Sequence, residues 1–279
     1  MSGILYLVPT PIGNLGDFSD RMRETLIEAD FIAAEDTRVT RKLLSHLELH
    51  KPMVSYYEHN RAESGPRIVS RLLTGESCAL VTDAGTPAIS DPGEDLVRLC
   101  AEAGIDVISI PGPCALITAL TVSGQPTARF SFEGFLSVNK KNRRAHLDSL
   151  RDEQRTMLFY EAPHKLVDTL ADMQAVFGAD RPVSLCRELT KLHEEVIRTT
   201  FGEALSLYAR QAPRGEYVLV VRGAERHEDP APSMEDAVAA VLVLQAEGTR
   251  LKDAVRQIAD RYGVAKNALY DAALNEKDA

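Results

Sequence analysis

The segment that most constrains the fold is a loop at residues 82–93 that contains two glycines, two prolines and two aspartates. It follows the apolar run 78–81, which has the pattern of a buried strand. Leu96, Leu99 and Cys100 come next, at a spacing typical of an amphipathic helix. Connections between a strand and a helix are normally shorter, and long ones usually carry function. Because ligands of open α/β sheets bind beside the carboxyl ends of strands, the loop predicts such a sheet and a ligand site at its edge.

Composition indicates an ordinary globular protein. Of its 279 residues, 44% are apolar and 26% are charged. No apolar stretch reaches the ~20 residues of a membrane-spanning helix, and the N-terminus goes directly into a strand pattern without a basic region or a cleavage site. The four cysteines lack Cys-x-x-Cys spacing, and three lie in apolar runs. We therefore expect a cytoplasmic protein with reduced, packed thiols and no contact with a membrane.

The net charge of −9 argues against a protein that coats nucleic acid non-specifically, because phosphate binding depends on lysine and arginine. Two local basic clusters remain, one at residues 38–42 and one at residues 140–151. A solvated helix face is the more common explanation of such clusters, and a nucleic-acid groove is the alternative. Our candidates for RNA contact are Arg38, Lys140, Lys141, Arg143 and Arg144.

Strand and helix patterns alternate over the first part of the chain. Strands are predicted at residues 4–8, 31–34, 53–56, 78–82 and 107–110, and Ser19 is the predicted cap of the first helix. This alternation predicts a mostly parallel sheet covered by helices. After a break at residues 123–126, further strands are predicted at residues 130–135, 156–160, 182–187, 196–201 and 217–221. Their close spacing favours a mixed or antiparallel second sheet.

We therefore predict an α/β protein with four segments. They are an N-terminal α/β domain at residues 1–122, a second α/β domain at 123–222, a linker at 223–233 and a helical domain at 234–279. Gly263 is expected to end a helix in the last segment. A helix-turn-helix and a plain three-helix bundle both fit this helical pattern.

Three loops after strands share a glycine- and proline-rich character, at residues 9–16, 82–93 and 111–115. Glycine lets the backbone approach a ligand closely, so these loops predict one site that binds its ligand largely through main-chain groups. Neither a dinucleotide fingerprint nor a phosphate loop is present. His46 and His50 lack a predictable third ligand, so no metal site is expected. Cys114 has no identifiable activating histidine, which disfavours a nucleophilic role.

A series of motifs in fixed order resembles a known family over about residues 4–222. The motifs are Tyr6-Leu-Val-Pro-Thr-Pro-Ile-Gly-Asn-Leu, Glu35-Asp-Thr-Arg, Tyr57-Glu-His-Asn, Thr82-Asp-Ala-Gly-Thr-Pro, Ile89-Ser-Asp-Pro-Gly, Pro111-Gly-Pro, Phe159-Tyr-Glu-Ala-Pro-His and Arg187-Glu-Leu-Thr-Lys. They are similar to those of the ribosomal RNA small subunit methyltransferase I family, in the tetrapyrrole-methylase superfamily. The family's C-terminal helical extension has a counterpart here too.

The resemblance implies two α/β domains of tetrapyrrole-methylase type with a cleft between them, plus a small C-terminal helical domain. It also implies S-adenosylmethionine as methyl donor, the 2′-hydroxyl of a cytidine in the 16S rRNA decoding centre as acceptor, and a homodimer. The donor-binding residues carried over by motif are Pro9, Asp83, Gly85, Thr86, Pro87, Cys114, Ala115 and Tyr160, with Gly215 less directly matched.

Two positions depart from the family pattern. Cys114 stands where serine is usual, and Ala88 stands where glycine is usual. Cysteine is a weaker hydrogen-bond partner than serine. Alanine is strained wherever the backbone needs a positive φ.

The catalytic candidates come from the charged motif near residue 190. Glu194 or Glu195 is a candidate base, and the charge of Lys191 is a candidate for lowering the pKa of the acceptor hydroxyl. Two rival functions remain at this stage. One is methylation of a small tetrapyrrole or precorrin in a similar cleft, and the other is a non-enzymatic nucleic-acid-binding regulator built on the C-terminal helices.

Overall fold

A computed structural model describes residues 2–225 and 233–277. The chain forms two compact units, Met1–Ala224 and Glu225–Ala279. The first unit holds both sheets, and the second unit holds the C-terminal helices. Most of the predicted linker at 223–233 lies outside the described residues.

The first sheet is entirely parallel, in the order β3-β2-β4-β1-β5. Its strands are β1 Leu5–Leu7, β2 Phe31–Ala34, β3 Met53–Ser55, β4 Cys78–Val81 and β5 Val107–Ser109. The helices that follow these strands are α1 Asp20–Glu28, α2 Thr37–His46, α3 Arg61–Leu73, α4 Glu94–Glu102 and α5 Ala115–Ser123. All five carboxyl ends meet at one edge because every pairing is parallel, which confirms the predicted sheet.

Both faces of the first sheet are buried. Phe31 and Ala33 of β2 pack on one face with Leu72 of α3, whereas Ile32 packs on the other face with Leu26 of α1. Burial on both faces explains why the strand sequences are unbroken runs of apolar residues. As predicted, Ser19 caps α1 by accepting a hydrogen bond from the amide of Met22.

The second sheet is mixed, in the order β6-β7-β10-β8-β9, with one parallel pair, β6 and β7. Its strands are β6 Phe130–Phe135, β7 Thr156–Glu161, β8 Pro182–Arg187, β9 Glu195–Thr200 and β10 Tyr217–Val221. The accompanying helices are α6 Lys140–Ser149, α7 Pro163–Phe177 and α8 Phe201–Tyr208. The prediction erred at Phe201, which begins α8 because the Thr200 hydroxyl caps that helix at the amide of Glu203.

Helix α5 joins the two halves of the first unit. It follows the last strand of the first sheet, yet Leu116, Ala119 and Leu120 pack against the second sheet with Leu158 and Val218. The predicted division at residue 122 therefore falls within a helix that belongs to the packing of the second sheet, and it stays a prediction.

The second unit contains α9 Met234–Ala246, α10 Leu251–Tyr262 and α11 Lys266–Lys277. Val241, Ile258 and Leu269, one from each helix, share its apolar core. Gly263 ends α10 at a φ of 67°, as predicted. No helix in the described part of the chain has the length and apolar character needed to span a bilayer.

Candidate active site

The three glycine- and proline-rich loops converge at the carboxyl edge of the first sheet. The amide of Thr10 donates to the carbonyl of Gly85 at 2.9 Å, and the amide of Gly85 donates back to Thr10 at 3.0 Å. The hydroxyl of Thr86 donates to the carbonyl of Pro113 at 2.8 Å. These bonds fix the loops at 9–16, 82–93 and 111–115 to one another, so the three loops converge as predicted.

A cavity of about 340 Å³ opens between these loops and the second sheet. The first wall contains Ile12, Glu35, Asp83, Ala84, Gly85, Thr86, Ile89, Ser90, Asp91, Cys114 and Ala115. The second wall contains Phe135, Tyr160, Glu161, Ala162, Cys186, Glu188, Leu189, Lys191, Glu216, Tyr217 and Val218. The volume lies in the ~300–1,000 Å³ range typical of small-molecule sites. The cavity is therefore large enough for a nucleoside-sized ligand.

Most of the predicted donor-binding residues line this cavity. They are Asp83, Gly85, Thr86, Cys114, Ala115 and Tyr160. Pro9, Pro87 and Gly215 do not line it. Gly215 instead borders a second cavity of about 680 Å³, which also contains Glu195 and shares Glu188 and Tyr217 with the first. Tyr160 ties the walls together, because its hydroxyl oxygen accepts the amide N–H of Leu116 at 3.2 Å.

The loop at 82–93 carries backbone strain. Ala88 has a φ of 68° and Ser90 a φ of 67°, both in the left-handed region. A left-handed conformation costs an L-residue roughly 1–2 kcal/mol. The strain expected for alanine at position 88 is therefore present. Strained backbone of this kind concentrates at ligand sites.

Three carboxylates, from Glu35, Asp83 and Asp91, form an acidic patch on the first wall. Burial and the charges of Glu35 and Asp83 raise the pKa of Asp91 to about 7. Burial likewise raises the pKa values of Glu35 and Asp83. The Asp83 carboxylate accepts the amide N–H of Asp36, whereas the Asp91 carboxylate has no hydrogen-bond or ion-pair partner in residues 2–225 and 233–277. This wall is suited to a ligand that carries positive charge.

Lys191 is the one basic side chain among the described residues that line the cavity. Its Nζ lies 2.9 Å from Oε1 of Glu188 and 2.9 Å from Oε2 of Glu216. Burial opposes ionisation, but the two carboxylates outweigh it and raise the pKa of Lys191. Lys191 is therefore a persistent cation rather than a base. The aliphatic part of the Lys191 side chain packs over Gly13, where a Cβ would lie 2.4 Å from Cγ of Lys191.

The two candidate bases lie away from the cavity lining. Glu194 accepts the amide N–H of Thr190 at 2.6 Å, and Glu195 forms an ion pair with Arg187 at 3.0 Å. The sequence pattern could not distinguish carboxylates that hold a loop from carboxylates that face a ligand. Asp91 was missed as a candidate because only the fold brings it beside Glu35 and Asp83. Phe135 and Glu216 carried no motif signal at all.

The basic candidates occupy different environments. Lys140 and Lys141 are exposed at the start of α6. Arg143 is largely buried, and its guanidinium lies 2.6 Å from the carboxylate of Asp172 in α7. The Asp172 side chain is only 6% exposed. Arg144 reaches the same carboxylate at 3.0 Å but stays 54% exposed.

Arg38, the remaining basic candidate, lies at the start of α2. It is 83% exposed and pairs with Asp36 at 2.6 Å. The structure thus gives Arg143 a packing partner and leaves Arg38, Lys140, Lys141 and Arg144 accessible.

S-adenosylmethionine fits this site on chemical grounds. Its sulfonium and ammonium groups match the acidic patch of Glu35, Asp83 and Asp91. Thr86 and Tyr160 are already anchored by hydrogen bonds across the loops. Within the described residues, no group of three or more histidine, cysteine or acidic side chains is arranged to hold a metal ion.

Comparison with known proteins gives concordant matches. Residues 4–205 match the family of tetrapyrrole (corrin/porphyrin) methylases, and residues 232–277 match a family described as the RsmI C-terminal HTH domain. Two proteins named ribosomal RNA small subunit methyltransferase I are similar over almost the whole chain. The protein from Synechocystis is 47% identical over 98% of both chains, and that from Escherichia coli O157:H7 is 46% identical over 99% of this chain and 96% of its own.

Solved structures show the same fold. The uroporphyrin-III-C-methyltransferase of Thermus thermophilus superimposes with a TM-score of 0.56 at 18% identity, over 78% of this chain and 94% of its own. A cobalt precorrin-4 methyltransferase gives a TM-score of 0.57 at 16% identity, over 78% and 94%.

Proposed function

Because the chain belongs to the ribosomal RNA small subunit methyltransferase I family, within the tetrapyrrole methylases, we propose that it methylates 16S rRNA with S-adenosylmethionine. The proposed acceptor is the 2′-hydroxyl of a cytidine in the decoding centre. The observation that carries the proposal is the cavity between the three joined loops and the second sheet, which has an acidic wall and one lysine.

Asp83, Gly85, Thr86, Cys114, Ala115 and Tyr160 are the residues proposed to hold the donor. When bound, S-adenosylmethionine supplies a methyl group on a positively charged sulfur. The carboxylate of Asp83 is suited to the positively charged groups of the donor, and the main chain of Gly85 fixes its loop through Thr10. The Cys114 thiol replaces the usual serine hydroxyl with a weaker hydrogen-bond partner. Pro9, Pro87 and Gly215 support the site from outside the lining.

The chain's main contribution is alignment. Holding two reactants in line can lower a barrier by ~7–11 kcal/mol, whereas a positioned base typically gives ~10²–10⁴-fold. The hydrogen bonds of Thr10, Gly85 and Thr86 keep the loops in one arrangement, so the donor site is preorganised.

Two side chains are proposed to handle the proton. The ammonium of Lys191 stabilises developing negative charge on the acceptor oxygen, and the carboxylate of Asp91 takes the proton. Asp91 lines the cavity, has no partner among the described residues and has a pKa of about 7. Glu194 and Glu195 then keep the loop of Lys191 in place through Thr190 and Arg187.

The rRNA backbone is proposed to contact the exposed cations at the start of α6 and α2, together with the C-terminal helices. Charge reversal at Lys140 and Lys141 should weaken RNA binding and reduce the slope of log affinity against log salt by ~0.7–0.9 per lost phosphate contact. Reversal at Arg210, an exposed residue outside the cavity lining, is the matched control. An unchanged slope in the lysine variant would exclude this contact.

A homodimer, as the family resemblance implies, and a cytoplasmic location, as expected for an enzyme that acts on ribosomal RNA, complete the proposal. Sedimentation equilibrium of the full chain tests the assembly.

The decisive experiment offers labelled S-adenosylmethionine with 30S particles, naked 16S rRNA or precorrins. Transfer to one cytidine ribose of the rRNA is the expected result, with mass spectrometry of nuclease digests locating the methyl group on the ribose. Transfer to precorrin alone would replace the proposal with tetrapyrrole methylation. Binding of RNA without any transfer would indicate a regulator.

A further inference from the structure

An aromatic ring lies at the rim of the cavity with most of its surface open. Phe135, the last residue of β6, belongs to the cavity lining yet remains 58% exposed. Ile89, on the opposite wall, is 38% exposed. A large apolar ring in this position has a surface available to a second planar group.

A β-bulge directs Phe135 to this position. Phe132 pairs with Leu158, but Gly134 pairs with Phe159, so Glu133 is an extra residue in β6. In a regular strand, positions 132 and 134 would share a face and position 135 would point away. The extra residue brings Phe135 opposite Tyr160 and onto the face of Phe132. Bulges next to active sites commonly re-aim a side chain in this way.

The bulge depends on a glycine. Gly134 has a φ of 66°, and a Cβ at this position would have no heavy atom within 4 Å. Glycine is therefore needed here for its backbone conformation and not for space.

Tyr160 makes an edge contact with the ring and leaves more than half of Phe135 exposed. The ring centroids of Phe135 and Tyr160 are 5.5 Å apart at an interplanar angle of 62°, which is an edge contact. Phe132 supports Tyr160 from the same side at 4.9 Å and 65°. An edge contact of this kind occupies at most one face of a ring, and the 58% exposure of Phe135 leaves surface for a second planar group.

The residues after Phe135 add a second exposed apolar side chain and two cations. Val138 is 74% exposed, and the cations Lys140 and Lys141 begin α6. An aromatic platform beside a cationic backbone-binding segment is the combination found in single-stranded nucleic-acid sites.

We propose that Phe135 is a base-stacking residue that receives the nucleobase of the target nucleotide after it has left the RNA stack. Stacking at the rim would hold the attached ribose over the cavity, with its 2′-hydroxyl facing the donor. Enzymes that act on a nucleotide inside a folded nucleic acid extract it and stack the base on aromatic side chains. This inference rests on the proposed function, because it assumes an RNA acceptor at the same site.

The test compares four variants. Phe135→Ala removes the ring, Phe135→Leu keeps an apolar side chain without a π-face, and Phe135→Tyr keeps the ring. Phe130→Ala is the matched control, because Phe130 begins the same strand and is 38% exposed but lies outside the cavity lining. The measurements are KM and kcat with 30S particles, and the Kd of S-adenosylmethionine by calorimetry.

Base stacking on an aromatic side chain is worth ~1–3 kcal/mol, so Phe135→Ala and Phe135→Leu should raise KM for the particle by roughly 5- to 150-fold. The Kd of S-adenosylmethionine should stay within about twofold in both variants. Phe135→Tyr and Phe130→Ala should behave like the wild type. A purely structural role of the ring, exerted through its contact with Tyr160, would instead raise the Kd of S-adenosylmethionine in the leucine variant.

A second readout does not depend on turnover. A fluorescent cytidine analogue at the target position of an oligoribonucleotide should change its emission with the wild type and with Phe135→Tyr, but not with Phe135→Leu. Equal KM and equal emission for the leucine variant and the wild type would overturn the stacking role, as would a rise only in the Kd of S-adenosylmethionine. Emission change without methyl transfer by the wild type would instead refute the proposed function.

Discussion

Replacement of Asp91 by asparagine should make the protein more stable and less active. The carboxylate has a pKa of about 7 in the folded chain, against an ordinary value of 3.8. Burial and the neighbouring charges of Glu35 and Asp83 cause this increase. Because the folded-state pKa is raised, Asp91 favours the folded state least when it is ionised, and its contribution to stability falls as pH rises from about 4 to about 7.

The magnitude follows from that difference. Full linkage would give about 4 kcal/mol at neutral pH, and screening at a partly exposed side chain reduces this to about 2 kcal/mol. For a unit of this size, about 2 kcal/mol corresponds to a rise of roughly 4–8 °C in the unfolding temperature. The difference between Asp91→Asn and wild type should become small near pH 4, where the Asp91 side chain is neutral in the folded protein, and vanish at lower pH.

Activity should change in the opposite direction. Asparagine cannot accept the proton, so kcat should fall by ~10²–10⁴-fold. Wild-type kcat should rise with pH towards a plateau, and its inflection should lie below pH 7, because a bound cation favours the ionised carboxylate. The variant should show no such inflection.

The assays are calorimetric unfolding of the ligand-free protein between about pH 4 and pH 8, and single-turnover transfer to 30S particles with saturating donor. A variant that is no more stable at pH 8 than the wild type would refute the raised pKa. A variant with increased stability but wild-type kcat would show that Asp91 is not the base.

Three further substitutions test the site and its surroundings. Ala88→Gly should relieve a left-handed alanine and stabilise the protein by about 0.5–1 kcal/mol after the entropy cost of glycine, and a lower unfolding temperature would contradict this. Arg143→Ala should destabilise the protein by roughly 2–4 kcal/mol, because it removes a partner of buried Asp172, without changing the salt slope of RNA binding. The opposite pattern would indicate direct RNA contact. Tyr160→Phe should cost about 1 kcal/mol in unfolding and up to about fivefold in donor Kd, because the amide of Leu116 loses its acceptor; unchanged values in both assays would exclude that role.

Local patterns predicted most of the scaffold. The bounds of β2, β6, β8 and β10 match the predicted residues, because each is an apolar or β-branched run between clear turn signals. The loop at 82–93 was identifiable because its length and composition are unusual for a connection. Phe201 was assigned to a strand because its apolar character fits the strand pattern. The Thr200 hydroxyl caps a helix that begins at Phe201, and a pattern of apolar residues does not show such a cap.

Features that depend on partners distant in sequence could not be predicted. Arg143 resembled its basic neighbours, yet Asp172 on α7 withdraws it from solvent. Burial raises the pKa of Asp91, and so does the charge of Glu35, which lies far away along the chain at another strand end. The position of Phe135 requires a bulge, and strand periodicity alone places that ring on the other face.

Because the Lys191 side chain packs over Gly13, the residues tolerated at these two positions depend on each other. The lysine stem occupies the space that any side chain at position 13 would need, so a substitution there would push the ammonium away from Glu188 and Glu216. Changes at the two positions should be strongly non-additive in a double-mutant cycle. During evolution or directed selection, this glycine and this lysine should therefore be retained or exchanged as a pair.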